Sequence, residues 1–239
     1  DWAKSNPFDM GCTTRSALKR ETTLGVDDHI KRVSTVNASS EANGALMRIT
    51  PLIAHFHLRP LNDYFDAYEM ARLDTSLTHP NGNCVVASAF YVGLALRLLK
   101  AEKPTNSDIR SLITETLEDV SAWFSGDVSA LEEVVRLSLS SKELPKCDGW
   151  DQGWWGVALR CSMWALLNTV WYSDGIKAVI AKGGDTDTNA CIAGGLLGIL
   201  CPPEHWRIYK VDNCETSKGR LRPSEWATKN SLRKLMHQL

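Results

Sequence analysis

The sequence predicts an all-α fold, and two observations predict it. Apolar residues recur at helical spacing in at least six segments, and no long stretch shows the period-two alternation of a β-strand. A third observation bounds the organisation. The 239 residues are 44% hydrophobic and no Pro/Ser-rich linker interrupts them, so one compact domain over residues 1–239 is expected.

Residues 1–19 read as a polar loop, Ser5-Asn6-Pro7-Phe8-Asp9-Met10-Gly11, that feeds a helix near Cys12-Thr13-Thr14-Arg15. Pro7 and Gly11 bracket Asp9 and hold its carboxylate at a fixed turn, where the plain structural role is a helix cap. Residues 20–40 are polar and aperiodic and read as a surface loop. Asn43-Gly44-Ala45-Leu46-Met47-Arg48 follows. Asn and Gly before a helix can expose backbone N–H groups to an anion such as a diphosphate, although Asn-Gly commonly marks only a turn.

Tyr64, Phe65, Tyr68, Ala71 and Thr75 predict a helix from Asp63 to Leu77, ending before Thr78-His79-Pro80. His79 in that loop is either a satisfied structural histidine or a group facing a ligand. Residues 84–99 are apolar on nearly every face, which puts them at the centre of a bundle. Ile109, Leu112, Ile113, Leu117, Val120 and Phe124 mark a further helix with Ser107 or Asp108 at its start. Ser129 and Glu132 predict a capping box opening a helix through Leu139.

Lys146 to Gly156 is rich in Trp and Gly and leads into a helix over Val157–Trp171. Trp154 is there either as core or as a platform for a nucleobase. Asp174 is expected to cap Gly175–Lys182. After Gly183-Gly184, the run Asp185-Thr186-Asp187-Thr188 opens a small-residue helix in which Ala190, Gly194 and Gly198 share a face, a spacing that permits close helix contact; Pro202-Pro203 ends it.

That last run is the chemical focus. Two aspartates one residue apart repel each other, and carboxylate and hydroxyl oxygens without Cys or His suit Mg²⁺, Mn²⁺ or Ca²⁺ better than zinc. A helix cap accounts for one acidic residue there, not for two. Elsewhere the net charge of −1, with scattered basic residues, gives no footprint for nucleic acid. Seven cysteines without a Cys-x-x-Cys pair point to a reducing, cytoplasmic setting. The apolar run Pro80–Leu96 is interrupted by Asn81, Gly82 and Asn83 and is too short for a membrane span, so no membrane partner is expected.

Gly183-Gly184-Asp185-Thr186-Asp187-Thr188, with Ala190, Ala193-Gly194 and Leu196-Leu197-Gly198, closely resembles the C-terminal signature of the ADP-ribosylglycohydrolase family. Asn43-Gly44-x-x-Met47-Arg48 resembles its second signature, and Pro7-Phe8-Asp9-x-Gly11-x-Thr13-Thr14 a third. Together they cover most of the chain from Pro7 to Trp206 in the family's order. The resemblance implies an orthogonal helical bundle and a hydrolase that releases ADP-ribose from a modified protein side chain, with arginine favoured.

It implies residue roles as well. Asp185, Asp187 and Thr188 would hold Mg²⁺, two ions in a complete family site, with Mn²⁺ as an alternative, and Asp9 would be the acid/base. Asn43, Gly44, Ala45, Met47, His79, Trp154 and Gly184 would line the ADP-ribose cleft of a monomer. Glu204-His205-Trp206 and Arg222-Pro223 resemble tail elements of the family. The family's Gly-Asp-x-x-Gly-x-x-x-Glu and Thr-Asp-Asp-Thr motifs have no counterpart in these residues, so the domain is expected to be incomplete at its N-terminal side. Two other readings stay open: a non-catalytic ADP-ribose-binding or structural relative, and a helical domain with a structural cation and no nucleotide.

Overall fold

A helix that is apolar on every face has to be surrounded, and the fold is built on that requirement. The computed structural model describes residues 5, 7, 9–18, 25–58 and 63–200. Among them lie ten α-helices: α1 Cys12–Leu18, α2 Val26–Val36, α3 Thr50–His57, α4 Tyr64–Ser76, α5 Gly82–Lys100, α6 Asn106–Trp123, α7 Ser129–Ser140, α8 Trp155–Asn168, α9 Tyr172–Ala181 and α10 Thr186–Leu200. The class is all-α, as expected. The family-like elements at Glu204-His205-Trp206 and Arg222-Pro223 lie outside the described residues.

α5 is the apolar helix, and every residue from Cys84 to Leu98 is buried. By length and hydropathy alone it would qualify to cross a membrane, yet α3, α4, α6, α8 and α10 pack around it and cover its sides. One charge enters this core. Arg97 donates to the Tyr68 hydroxyl at 3.0 Å, pairs with Asp119 and lies 4.0 Å over the Tyr64 ring, so it joins α4, α5 and α6. Pairing of this kind is what allows a guanidinium to be buried.

On the other side of α5, small residues let α10 come close. A Cβ on Gly195 would collide with the Tyr91 hydroxyl, which donates to the Ile192 carbonyl at 2.9 Å. One on Gly194 would stand 2.8 Å from the Tyr172 hydroxyl of α9, whereas Gly198 faces open space. Close approach therefore occurs at Gly194 and Gly195 and not along the whole Ala190/Gly194/Gly198 face.

Several local expectations are corrected. Residues 26–36 are a helix, not a loop: Val26, Ile30, Val33 and Val36 recur at helical spacing within a polar stretch, although only Val33 of α2 is buried. Polar contacts also hold it. His29 Nε2 is 2.9 Å from the Leu77 carbonyl, and Arg32 donates to the Ala17 carbonyl. At α6 the cap is Thr105, in a reciprocal capping box with Asp108. No Ser129/Glu132 box opens α7, because the Asp127 carboxylate accepts from Ser129 N–H at 2.9 Å and takes that role. α9 starts at Tyr172, which leaves Asp174 inside its first turn instead of at its cap, and α8 ends at Asn168, three residues early.

Candidate functional site

Three loops meet at the starts of α8 and α10. Gly183 and Gly184 both take positive φ, +75° and +68°, a conformation that costs any L side chain. At Gly184 the demand is doubled, since a Cβ there would collide with the Cys147 carbonyl oxygen. The turn so formed presses on loop 147–148 and starts α10, with Thr186 N–H donating to Gly184 O at 2.9 Å and Asn189 N–H to Asp185 O at 3.0 Å. Behind it the Cys147 and Cys161 sulfurs are 3.4 Å apart; the Cys161 hydrogen bond lowers the Cys147 thiol, while that bond and burial raise Cys161.

Asn43 touches all three loops. Its side-chain amide donates to Asp185 Oδ2 at 2.8 Å, its N–H donates to Gly153 O at 2.9 Å, and its carbonyl accepts from Met47 N–H at 3.3 Å. Asp185 is half-buried, Asp187 is exposed and Thr188 is buried. Next to them Asn189 is 1% exposed, and neither its amide nitrogen nor its oxygen has a hydrogen-bond partner among the described residues. Ala45 is buried beneath the loop, whereas Met47 is exposed.

The oxygens of Asp185, Asp187 and Thr188 fit a hard divalent cation in kind. They do not fill its shell of about six oxygens, and among the described residues no three His, Cys, Asp or Glu side chains converge on one point.

His79 lies under the same loop. It is 1% exposed, and its imidazole stands 2.9 Å from where a Cβ on Gly44 would be. Thr78 Oγ1 receives a hydrogen bond from Arg48 at 3.0 Å and lies 2.7 Å from His79 Nδ1. Thr78 is free to give its own proton to Nδ1, and in that tautomer the ring proton sits on Nε2, beside Gly44. Burial, and secondarily the Arg48 charge, push the His79 pKa down to about 4, so the ring is neutral at pH 7.

Asp9 is exposed and makes no hydrogen bond with the described residues. The helix that follows it is nevertheless tied to the site. Thr13 Oγ1 is 2.6 Å from Ser40 Oγ, Asn37 donates to Thr13 O at 2.9 Å, and Thr14 Oγ1 lies 3.6 Å from the Cβ position on Gly44.

Beside Asn43 a cleft of about 730 Å³ opens, lined by Ser39, Glu41, Ala42, Trp150, Asp151, Gly153 and Trp154. An antiparallel backbone bridge joins two of these lining residues, Ala42 and Trp154. Glu41 has no assigned role from the sequence, yet its Oε2 accepts from Trp154 Nε1 at 2.8 Å and its Oε1 from Asn83 at 3.0 Å. Its charge is felt locally: burial and then Glu41 push the Cys84 thiol up to about 12. No spacing signal could have found this residue, because its partner Trp154 is 113 positions away.

The comparisons with known proteins point to one family. A protein of Acanthamoeba polyphaga mimivirus that carries an ADP-ribosyl glycohydrolase name is 28% identical over 227 residues, which are 91% of this chain and 67% of that one. A solved structure, the ADP-ribosylglycohydrolase-related protein complex, matches in fold with a TM-score of 0.64 at 22% identity, over 86% of this chain and 62% of that chain. The chain thus spans about two thirds of the length of the proteins it matches. The family model for ADP-ribosylglycohydrolase matches residues 1–220, and the chain belongs to the ADP-ribosylglycohydrolase family.

Proposed function

We propose that the loop cluster is the site of a metal-dependent ADP-ribosylglycohydrolase, cleaving the bond between ribose C1 of ADP-ribose and a modified protein side chain, with arginine the favoured linkage. The observation that carries the reading is the 2.8 Å bond from Asn43 to Asp185, which joins two family-like signatures 142 positions apart at one place.

Asp185, Asp187 and Thr188 would hold Mg²⁺, whose charge would orient the ribose hydroxyls and polarise the anomeric centre. The remaining work falls to the chain. Asn43 keeps one oxygen of Asp185 engaged and so fixes the rotamer that a ligand-binding carboxylate needs. His79, neutral and buried, props the Gly44 turn, whose backbone faces the substrate with Ala45 and Met47. Trp154 offers an indole face to the adenine. Asp9, exposed on the segment that leads into α1, takes the proton of the attacking water and passes one to the leaving nitrogen.

A catalytically inactive ADP-ribose-binding relative is the second reading. It is favoured by the short donor set at Asp185/Asp187 and by the absence, among the described residues, of a hydrogen bond on the Asp9 carboxylate. Hydrolysis of ADP-ribosyl-arginine with and without Mg²⁺ separates the two. Release of ADP-ribose that is lost in Asp187→Ala supports the enzyme; ADP-ribose binding with no turnover in any metal supports the binder.

A further inference from the structure

Among the described residues the cysteines are free thiols, and two of them are held sulfur against sulfur. Cys147 sits in the loop between α7 and α8, Cys161 sits on α8, and their sulfurs are 3.4 Å apart. The Cys147 S–H donates to the Pro145 carbonyl at 3.3 Å, which leaves the Cys161 S–H free to donate to the Cys147 sulfur. That bond favours a thiolate at Cys147; the Lys182 and Arg160 charges add to it, while burial and the Asp148 carboxylate oppose it. The two sulfurs are therefore unequal, one suited to attack and the other to resolve.

Their settings differ as well. Cys161 is 0% exposed and fixed in the core by α8, whereas no helix lies between Ser140 and Trp155, and the chain neighbours of Cys147, Lys146 and Asp148, are exposed. Local opening of such a loop admits a small oxidant. Cys147 also carries the carbonyl against which Gly184 is pressed, and Gly184 directly precedes Asp185. A change at this sulfur is thus carried by one residue to the start of α10.

We propose that Cys147 and Cys161 form a modification site for hydrogen peroxide, whose product, a disulfide, withdraws the Cys147 carbonyl from Gly184 and loosens the turn that presents Asp185. Cys147 loses its proton and its sulfur attacks one peroxide oxygen; the O–O bond breaks, and the departing hydroxide takes up that proton as water, leaving a sulfenic acid. The Cys161 sulfur then attacks the Cys147 sulfur. The S–S bond forms, the S–O bond breaks, and the second hydroxide leaves as water with the Cys161 proton, so two thiols give up two electrons and peroxide ends as two waters. Closing the sulfurs from 3.4 Å to a bond of about 2 Å draws the loop toward α8, since the helix is the fixed partner. A dithiol reductant reverses the step. The effect on hydrolysis rests on the glycohydrolase reading above; the disulfide and the loosened turn do not.

The test compares the full chain reduced, treated with excess hydrogen peroxide, and treated then returned to dithiothreitol. Peptide mapping by mass spectrometry should find residues 147 and 161 linked in the treated protein alone, and amide exchange over residues 183–190 should speed in that state. Mg²⁺-dependent release of ADP-ribose from ADP-ribosyl-arginine should fall at least about tenfold and return with dithiothreitol. Cys147→Ala keeps the backbone carbonyl and removes the attacking sulfur, so it should hold its own starting activity through the same treatment.

Peroxide that oxidises the exposed Cys12 and Cys191 while leaving 147 and 161 unlinked overturns the proposal, and needs no variant to fold. So does a 147–161 link that leaves exchange over residues 183–190 unchanged, or an equal loss of activity in Cys147→Ala. If the link and the faster exchange form but the reduced protein releases no ADP-ribose, the glycohydrolase reading is contradicted and the modification site stands.

Discussion

The α4–α5–α6 face and the loop cluster around Asn43 both bury polar groups, and they do so in opposite ways. In the first, Arg97 finds Tyr68, Asp119 and the Tyr64 ring, and its guanidinium is matched within the scaffold. In the second, Asp187 stands exposed, and the Asn189 amide has no partner among the described residues. Hydroxyls without a partner among the described residues occur on that helical face too, at Thr75, Ser88 and Ser121, although an amide has more polar groups to satisfy than a hydroxyl. The charged groups carry the contrast: Arg97 is matched inside the scaffold and Asp187 is left to solvent, and substitutions should sort accordingly.

The largest effect on stability is expected where the loop cluster meets the scaffold. Gly184→Ala combines a positive φ with a collision against the Cys147 carbonyl, and should cost about 3 kcal/mol or more in chemical denaturation. A cost below about 1 kcal/mol would mean that the two backbones do not touch as described.

A pH effect of similar size should come from His79. Its folded pKa is depressed from 6.5 to about 4, so the unfolded chain takes up a proton first as pH falls. The neutral ring's contribution is therefore complete above pH 6.5, declines between 6.5 and about 4, and is flat below that. The whole loss is up to about 3 kcal/mol. Unfolding curves of wild type and His79→Gln over this range should differ in slope. Parallel curves would show that the ring is not held neutral.

Asp119→Ala leaves Arg97 buried with only Tyr68 as a hydrogen-bonding partner, and a loss of about 2 kcal/mol is expected, tempered because Asp119 is half exposed. ADP-ribose affinity should not move. Asn43→Ala reverses that pattern: it should lower Mg²⁺-dependent hydrolysis roughly 10- to 100-fold, as loss of an outer-shell partner does. If Asn43→Ala changes stability alone, the contrast between the two regions fails.

The helical class and the central place of α5 were legible because a 15-residue apolar run admits one solution, burial on all sides. α2 has a periodic trace, Val26, Ile30, Val33 and Val36, masked by the polar residues around it. Its anchoring has none, since His29 and Arg32 reach backbone carbonyls of other segments. The same reason covers the displaced caps: Asp127 and Ser129 compete for one end of α7, and local geometry, not composition, decides between them. In the site, Asp185 and Asn43 could be read from their signatures. Glu41, Asn83 and the Cys147 carbonyl could not, because each acts through a partner far along the chain or through the backbone.

Thermal melting of wild type and Asp187→Ala, each with and without Mg²⁺ plus ADP-ribose, tests the central claim most directly. Asp187 is exposed, so its removal should leave the unliganded melting temperature nearly unchanged, where loss of a helix cap would cost about 1 kcal/mol. Ligand bound to the native state alone should raise the wild-type melting temperature and leave the variant where it was. An identical rise in both proteins would contradict the assignment of Asp185, Asp187 and Thr188 as the cation-holding edge of the site.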